Sequence, residues 1–481
     1  MHTELRDLPS RLLANGYLAH LLTIAGFVLA VVLIARLMSE KKAPANTFAW
    51  LLGILFIPYL GVPLFLLFGG RKLRRVAQRK STVQPTLPHS LAGPDVGPDG
   101  PVAHTIVAAG GTSPIGGNRV QFLATGEEEF AQLERHIRVA KHTIHITTFI
   151  LGRDETGKRI IQLLAQRARE GVKVRLLLDS LGCLFTRSAF VRPLREAGGE
   201  IGRFMPVLPL TSRSSANLRN HRKVAIFDHA TAIAGGRNLA REYMGPNPYR
   251  KRWRDLGSLY EGPAAALINE IFIADWCFAT RQNSDLLHAE IPAAIAASRG
   301  ESELQVVASG PDVPGDPLYE GIIAMIQDAT QRIRIVTPYF IPDDVLLRSL
   351  IVKARAGREV TLILPARSNH PVTDFARRHY LRELIRAGGK VLLYPHGMAH
   401  SKAMIIDDRI GLVGSANFDL RSLFVNFEVG IVLHSAHDVA ALGRWSDELV
   451  AQCVEATVQT PKGRIMGNLA EDLSRLLAPL L

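Results

Sequence analysis

The sequence predicts an α/β fold: two similar α/β domains in a pseudo-two-fold arrangement, preceded by two N-terminal transmembrane helices. Three observations predict it. Long uncharged apolar stretches open the chain, an ordered set of strand and helix segments occurs twice beyond residue 119, and a His-x-Lys-x4-Asp motif stands at the equivalent place in each copy. The expected division is a membrane anchor over 1–80, a flexible linker over 81–118, and two α/β domains over 119–300 and 301–481.

Composition narrows the classes. With 481 residues, 47% hydrophobic and 21% charged, the chain is long and apolar enough for about three ordinary domains, which excludes a disordered protein and a disulfide-built miniature. Fifty-seven Lys plus Arg against 44 Asp plus Glu leave a formal charge of +13, which points to an anionic partner. The mean hydropathy is nevertheless +0.11, and that turns the expectation from nucleic acid toward phospholipid. Cys183, Cys277 and Cys453 show no CxxC spacing, so neither a thiolate metal site nor a disulfide framework is expected.

Residues 12–35 carry no formal charge, and about 20 apolar residues in a helix cross a bilayer. A second uncharged stretch covers 43–70, with its apolar heart at 48–68 and Trp50 and Tyr59 as interfacial aromatics. A span following directly on the first argues against a cleaved signal peptide. Arg71, Lys72, Arg74, Arg75, Arg79 and Lys80 come next; basic residues beside a span favour the cytoplasmic side and contact anionic lipid. The anchor is therefore expected to be multi-pass, with the domains on the cytoplasmic side. From 81 to 118, Pro85, Pro88, Pro94, Pro98 and Pro101 lie among small polar residues without periodicity, the composition of a tether.

Beyond the tether the chain repeats itself. IHITTFIL at 144–151 answers IRIVTPYF at 333–340, REGVKVRLLLD at 169–179 answers RAGREVTLILP at 355–365, and HRKVAIFD at 221–228 answers HSKAMIID at 400–407. The offset shrinks along the chain, as duplication followed by loop deletion produces. Each unit reads as strand, helix, glycine and buried parallel-type strand, which is α/β layering.

The shared motif supplies His221, Lys223 and Asp228 in one half and His400, Lys402 and Asp407 in the other. One such match arises by chance in a few per cent of chains this long; two at equivalent places arise in on the order of one in a thousand. Histidine and lysine at i and i+2 of one strand share a face. Asp228 and Asp407, at an odd spacing from the histidines, face away or fall in the following turn, and are counted with the motif as structural or supporting groups. Each strand returns into a small-residue turn, carrying Asn238 in one half and Ser415 and Asn417 in the other, whose donors suit an anion. Two such halves face to face suit phosphodiester transfer. The lysines neutralise phosphoryl oxygens, one neutral imidazole attacks phosphorus, and the opposite imidazolium protonates the leaving alkoxide. Each histidine then needs a carboxylate at its other nitrogen, and Asp255 and Glu428 lie at comparable distances downstream. No spacing suggests a metal site, and the chemistry requires no metal or cofactor.

Here the chain resembles the phospholipase D superfamily, and within it the bacterial cardiolipin synthases. The resemblance covers nearly the whole chain: the N-terminal Pro58…Gly61…Phe68-Gly69, the stretch Arg219-Asn220-His221-Arg222-Lys223, Gly235-Gly236-Arg237-Asn238…Glu242-Tyr243, Trp253-Arg254-Asp255, Thr337-Pro338-Tyr339-Phe340-Ile341-Pro342, Gly414-Ser415-Ala416-Asn417-Phe418-Asp419…Arg421-Ser422, and Asn426-Phe427-Glu428. It implies phospholipase-D-like domains, a bacterial inner-membrane enzyme without cofactor, and phosphatidylglycerol with other anionic membrane lipids as partners. By the same resemblance His221 attacks, His400 serves as acid and base, Glu428 supports His221 and Asp255 supports His400. His229 stands where the family often has glycine, and Arg237 sits inside the first glycine turn. The rival activities are a phospholipase D or another headgroup transferase, and a membrane-tethered nuclease. The two spans and the basic cluster favour a substrate already in the bilayer, and a dead scaffold would have lost one of the two motifs.

Overall fold

The computed structural model describes residues 26–29, 31–32, 51–57, 59, 61–62, 99–186, 188–206, 218–291, 298–313 and 315–457. The chain divides into two compact units, Met1–Val76 and Ala77–Leu481. In the first, residues 26–29, 31–32 and 51–56 are helical. Among the described residues no helix is long and apolar enough to cross a membrane; the expected spans at 12–35 and 48–68, and the basic cluster at 71–80, fall largely outside the described residues.

The second unit is built on one sheet. Its strands are β1 (Ile115–Leu123), β2 (Thr143–Thr148), β3 (Lys173–Asp179), β4 (Glu200–Phe204), β5 (Val224–Phe227), β6 (Thr231–Gly235), β7 (Gly257–Glu261), β8 (Ser302–Ser309), β9 (Arg332–Val336), β10 (Phe340–Ile341), β11 (Glu359–Pro365), β12 (Lys390–Tyr394), β13 (Ala403–Ile406), β14 (Ile410–Gly414), β15 (Phe418–Asp419), β16 (Glu428–Leu433) and β17 (Val454–Glu455). All but the small β10–β15 pair join a single 15-stranded sheet, ordered β17-β12-β11-β9-β13-β14-β16-β8-β1-β7-β6-β5-β2-β3-β4. Read outward from the β8–β1 junction, the two halves follow the same sequence of strands, which is the pseudo-two-fold expected from the repeat. Three strands in each half are parallel, β2-β3-β4 in the first and β9-β11-β12 in the second, where β17 adds antiparallel outside β12. They read as continuous apolar runs because helices cover both faces.

The halves are thus fused through main-chain pairing of β1 with β8, Ile115 opposite Leu304 and Asn118 opposite Ser302. Asn118 locks this junction. Its buried amide donates to Ile115, Gly116 and Ser302 carbonyls at 2.8, 3.2 and 3.3 Å, while its oxygen accepts from Ala264 N at 2.7 Å, the start of helix Pro263–Thr280. Local signals set the helices. Thr125 and Glu128 form a capping box on Gly126–Val139, and Asp154 and Asp343 cap Glu155–Arg169 and Asp344–Arg355.

The expected linker does not extend to residue 118. Helix Gly100–Ala108 begins with a proline in its first turn and buries Val102 and Ile106 in the core of the second half, and β1 begins at Ile115. Proline content marked a boundary there, while a short apolar stripe made the helix.

Asp228 and Asp407 occupy the turns that close the β5–β6 and β13–β14 hairpins, with φ of 48° and 51° followed by positive φ at His229 and Asp408. This is the left-handed region that glycine adopts freely. Each carboxylate reaches back to the start of a neighbouring strand. Asp228 accepts from Lys141, His142 and Thr143 N at 2.8, 2.7 and 2.9 Å, and Asp407 from Thr330, Gln331 and Arg332 N at 2.7, 2.8 and 2.7 Å. They therefore lie at the far end of a four-residue strand from the histidines, roughly 13 Å along it at about 3.3 Å per residue. They strap hairpins, in the turn that their odd spacing from the histidines implies. Burial alone raises the Asp407 carboxyl, yet these amide donors outweigh it and hold the group below the ordinary carboxylate range. Its stabilising contribution is present above the unfolded carboxylate pKa and is lost as pH falls below about 4. Asp407→Ala is expected to lower stability by about 2 kcal/mol, read as a lower thermal midpoint of the purified chain at pH 7. An unchanged midpoint refutes the strap.

Candidate active site at the seam between the halves

Both histidines sit just before a hairpin strand, and two short parallel bridges draw each against the opposite half. Asn220 pairs with Phe427, and Arg254 pairs with Ala399. His221 N donates to Phe427 O at 2.9 Å and Phe427 N to Arg219 O at 2.9 Å; on the other side Arg254 N donates to Met398 O at 2.8 Å and His400 N to Arg254 O at 2.6 Å. The residue after each bridge partner is an acid. His221 Nδ1 therefore meets Glu428 Oε1 at 2.8 Å, and His400 Nδ1 meets Asp255 Oδ2 at 2.7 Å. Each histidine receives its carboxylate from the other half, and both carboxylates are fully buried.

The two pairs are accommodated differently. A Cβ on Gly236 would lie 2.4 Å from Asp255 Oδ1, so the first turn needs glycine there to admit the short aspartate. At the equivalent position Ser415 donates its hydroxyl to Glu428 Oε2, and Asn426 Nδ2 donates to Oε1 at 3.4 Å. Ser415 is thereby a partner of the acid. Asn238 accepts from Ile150 N at 3.0 Å and bonds the Tyr243 hydroxyl, which fixes the loop after β2. Asn417 bonds Asp419, and its buried Oδ1 has no hydrogen-bond partner among the described residues.

The lysines lie at the same place. Lys402 Nζ is 2.9 and 3.1 Å from the two ring nitrogens of His400 and also donates to its carbonyl; Lys223 Nζ donates to the His221 carbonyl at 2.5 Å. Aromatic rings that sequence reasoning did not assign to the site complete it. Phe149 stands edge-on to His221 at 5.1 Å, and Tyr243 and Trp253 flank His400 at 5.3 and 5.2 Å. Phe149 lies inside the repeated strand segment at 144–151 and Tyr243 closes the stretch that begins at Gly235, but aromatic identity alone reads as core. Among the described residues no three His, Cys, Asp or Glu side chains converge as a metal site.

Burial governs the electrostatics. It lowers His221 to about 4, with Lys223 adding to the shift and Glu428 opposing it, and lowers His400 to about 3, with Lys402 adding and Asp255 opposing. Each imidazole also feels the other half's lysine, so the two pairs share one site. Burial brings Lys402 down to about 8 and Lys223 well below its ordinary value. Burial alone would raise Asp255 and Glu428, but His400 and Lys402 carry Asp255 down to about 2, and His221 and Lys223 keep Glu428 low. Both acids are anionic at neutral pH, beside imidazoles that are neutral there when only protein surrounds them. This is an arrangement for receiving an anion between two oriented imidazoles.

Comparison with known proteins agrees with that chemistry. The family described as "Cardiolipin synthase, PLD-like domain" matches residues 133–276 and 322–450, and "Phospholipase_D-nuclease N-terminal" matches 27–70. The major cardiolipin synthase of Bacillus subtilis is 33% identical over 488 residues, covering 97% of this chain and 99% of its own. The cardiolipin synthase of Geobacillus kaustophilus is 32% identical over 466 residues, covering 94% and 92%. Among solved structures, the phosphatidylserine synthase of Haemophilus influenzae superposes with a TM-score of 0.58 at 16% identity, covering 75% of this chain and 95% of that one, a likeness in fold. With both repeats matched and relatives aligned over nearly its full length, the chain belongs to the phospholipase-D-like cardiolipin synthase family.

Proposed function

We propose that the chain is a membrane-anchored phosphatidyltransferase that moves the phosphatidyl group of one phosphatidylglycerol onto a second, giving cardiolipin and glycerol through a phosphohistidine. The observation that carries this reading is the pair of buried histidines, each tied at Nδ1 to a carboxylate from the opposite half and each beside a lysine. A carboxylate at Nδ1 keeps the proton there and leaves the Nε2 lone pair free. His221 Nε2 attacks phosphorus, forming the P–N bond as the P–O bond to glycerol breaks. His400, protonated, gives its proton to the departing alkoxide. The hydroxyl of a second phosphatidylglycerol then loses its proton to His400 and displaces His221. Lys223 and Lys402 neutralise the non-bridging oxygens, with Asn238 and Asn417 shaping the turns around them. A phosphodiester monoanion between the rings favours the imidazolium, which opposes the lowering of His400 by burial. One phosphodiester replaces another, so the exchange is nearly balanced and consumes no nucleotide.

The lipid substrate fits an anchor at 1–80 with spans at 12–35 and 48–68 in the bacterial inner membrane, the domains lying on the cytoplasmic side behind the basic cluster at 71–80. The match over 27–70 supports this, as do the exposed apolar side chains of Phe27, Val28, Val31, Val32, Leu55, Phe56 and Ile57. Membranes bearing the chain, given acyl- and headgroup-labelled phosphatidylglycerol in EDTA without CTP, are expected to release glycerol and accumulate labelled cardiolipin. Phosphatidic acid as the sole product would make the chain a phospholipase D. No lipid turnover would overturn the reading.

A further inference from the structure

Each orienting carboxylate is held from behind by a buried arginine. Arg222 lies between His221 and Lys223, just before β5. Its Nε donates to the main-chain carbonyl of Glu428 at 2.9 Å, its Nη2 to Ser309 O at 3.0 Å, and its Nη1 to both oxygens of Asp275 at 2.6 and 2.7 Å. One guanidinium thus ties the first-half helix Pro263–Thr280 to the ends of β8 and β16. At the other acid, Arg237 donates Nη2 to the main-chain carbonyl of Asp255 and to Ala124 O, and Nη1 to Leu123 O and to Glu129. A Cβ on Gly257 would fall 1.8 Å from Glu129 Oε2, so the chain is open there to admit that partner. All four side chains are buried. The repeat does not require them: the positions equivalent to Arg222 and Arg237 are Ser401 and Ala416. Both anchors therefore come from the first half, one for each acid.

A buried ion pair is a poor source of net stability, because desolvation offsets the attraction and apolar replacements are often as stable; its attested use is to fix a geometry. The forked guanidinium suits that use, since several rigid donors are satisfied in only one placement. We propose that Arg222 with Asp275, and Arg237 with Glu129, are positioning residues for phosphatidyl transfer, each fixing through a main-chain carbonyl the acid that orients one histidine. This rests on the transferase reading above.

The two anchors act on different histidines, so they separate in a pH profile. His221 is faced by Glu428, Lys223 and Lys402, and His400 by Asp255, Lys402 and Lys223; Glu428 and Asp255 are the groups that favour the charged imidazoles. Behind Asp255, burial raises Glu129 to about 7 against the pull of Arg237, so the Arg237 pair is read on the part of the profile below that pH. Loosening either acid lowers the pKa of its own histidine. The profile of kcat for cardiolipin formation by the full-length chain in membranes has one limb from each histidine. Arg222→Lys and Asp275→Asn are expected to move one limb by about half a pH unit or more to lower pH. Arg237→Lys and Glu129→Gln are expected to move the other limb, in the same direction. Where a lysine variant does not accumulate, the neutral-carboxylate variant of the same pair carries the measurement. Uniformly slower rates with both limbs in place, or both pairs moving the same limb, overturn the proposal. Should the unsubstituted chain release phosphatidic acid in place of cardiolipin, the function is revised while the same limbs, read on that product, still test the anchors.

Discussion

The His221→Ala chain is expected to form no cardiolipin and to retain no lipid, whereas the His400→Ala chain traps the phosphatidyl group on protein. Either substitution costs roughly 10⁴-fold or more in turnover, and the double variant is no worse than a single one, because the two groups act as one unit. The trap follows from the division of labour. Given an acyl-labelled phosphatidyl ester of a phenol acidic enough to leave unprotonated, His221 attacks without help, and the adduct persists because the acceptor hydroxyl has lost its base. Without His221 there is no nitrogen to bear the label. Denaturing electrophoresis of the two variants reads the result directly; label on His221→Ala, absent from His400→Ala, reverses the assignment.

Both motifs could be found in the sequence because each is a local string repeated in order, and both carboxylates because each follows its motif at a comparable distance. Helical and strand periodicity around 144–179 and 333–365 likewise gave the outer parallel strands, since a buried parallel strand is apolar throughout. The junction between halves was not legible. The β1–β8 pairing is antiparallel between segments far apart in sequence, and nothing in GGNRVQFL or SELQVVAS names its partner. Helix Gly100–Ala108 was hidden by flanking prolines, although Pro101 with Val102 and Ile106 one turn apart was a helix-start signal. Arg222 and Arg237 were visible as letters inside motifs, but charge reads as surface until burial is known. Asp275, the partner of Arg222, sits in a largely apolar helix that also buries Asn269 and Glu270, so carboxylates there were a hint of buried pairing without a named partner.

Glu428→Gln is expected to lower turnover by about 10³- to 10⁴-fold with little change in fold, because an amide at this position presents a donor as well as an acceptor to His221 Nδ1 and promotes the wrong tautomer. The hydroxyl of Ser415 already donates to Oε2, which leaves the amide nitrogen to compete at the histidine. Asp255→Asn is expected to cost a similar factor through His400. The crossing between halves can then be isolated in the His400→Ala background, where only the attack by His221 on the activated ester is observed. There Glu428→Gln slows labelling, since its histidine is the one still at work. Asp255→Asn has no further effect, since the ring it orients is gone and contacting groups couple while separated ones add. Slower labelling from Asp255→Asn, with Glu428→Gln silent, would mean that each acid serves the histidine of its own half, against the 2.8 and 2.7 Å contacts that cross the seam. A crossed pair also ties chemistry to assembly: neither half alone contains an oriented histidine, so the phosphodiester meets a competent nucleophile only where both halves have closed on one sheet.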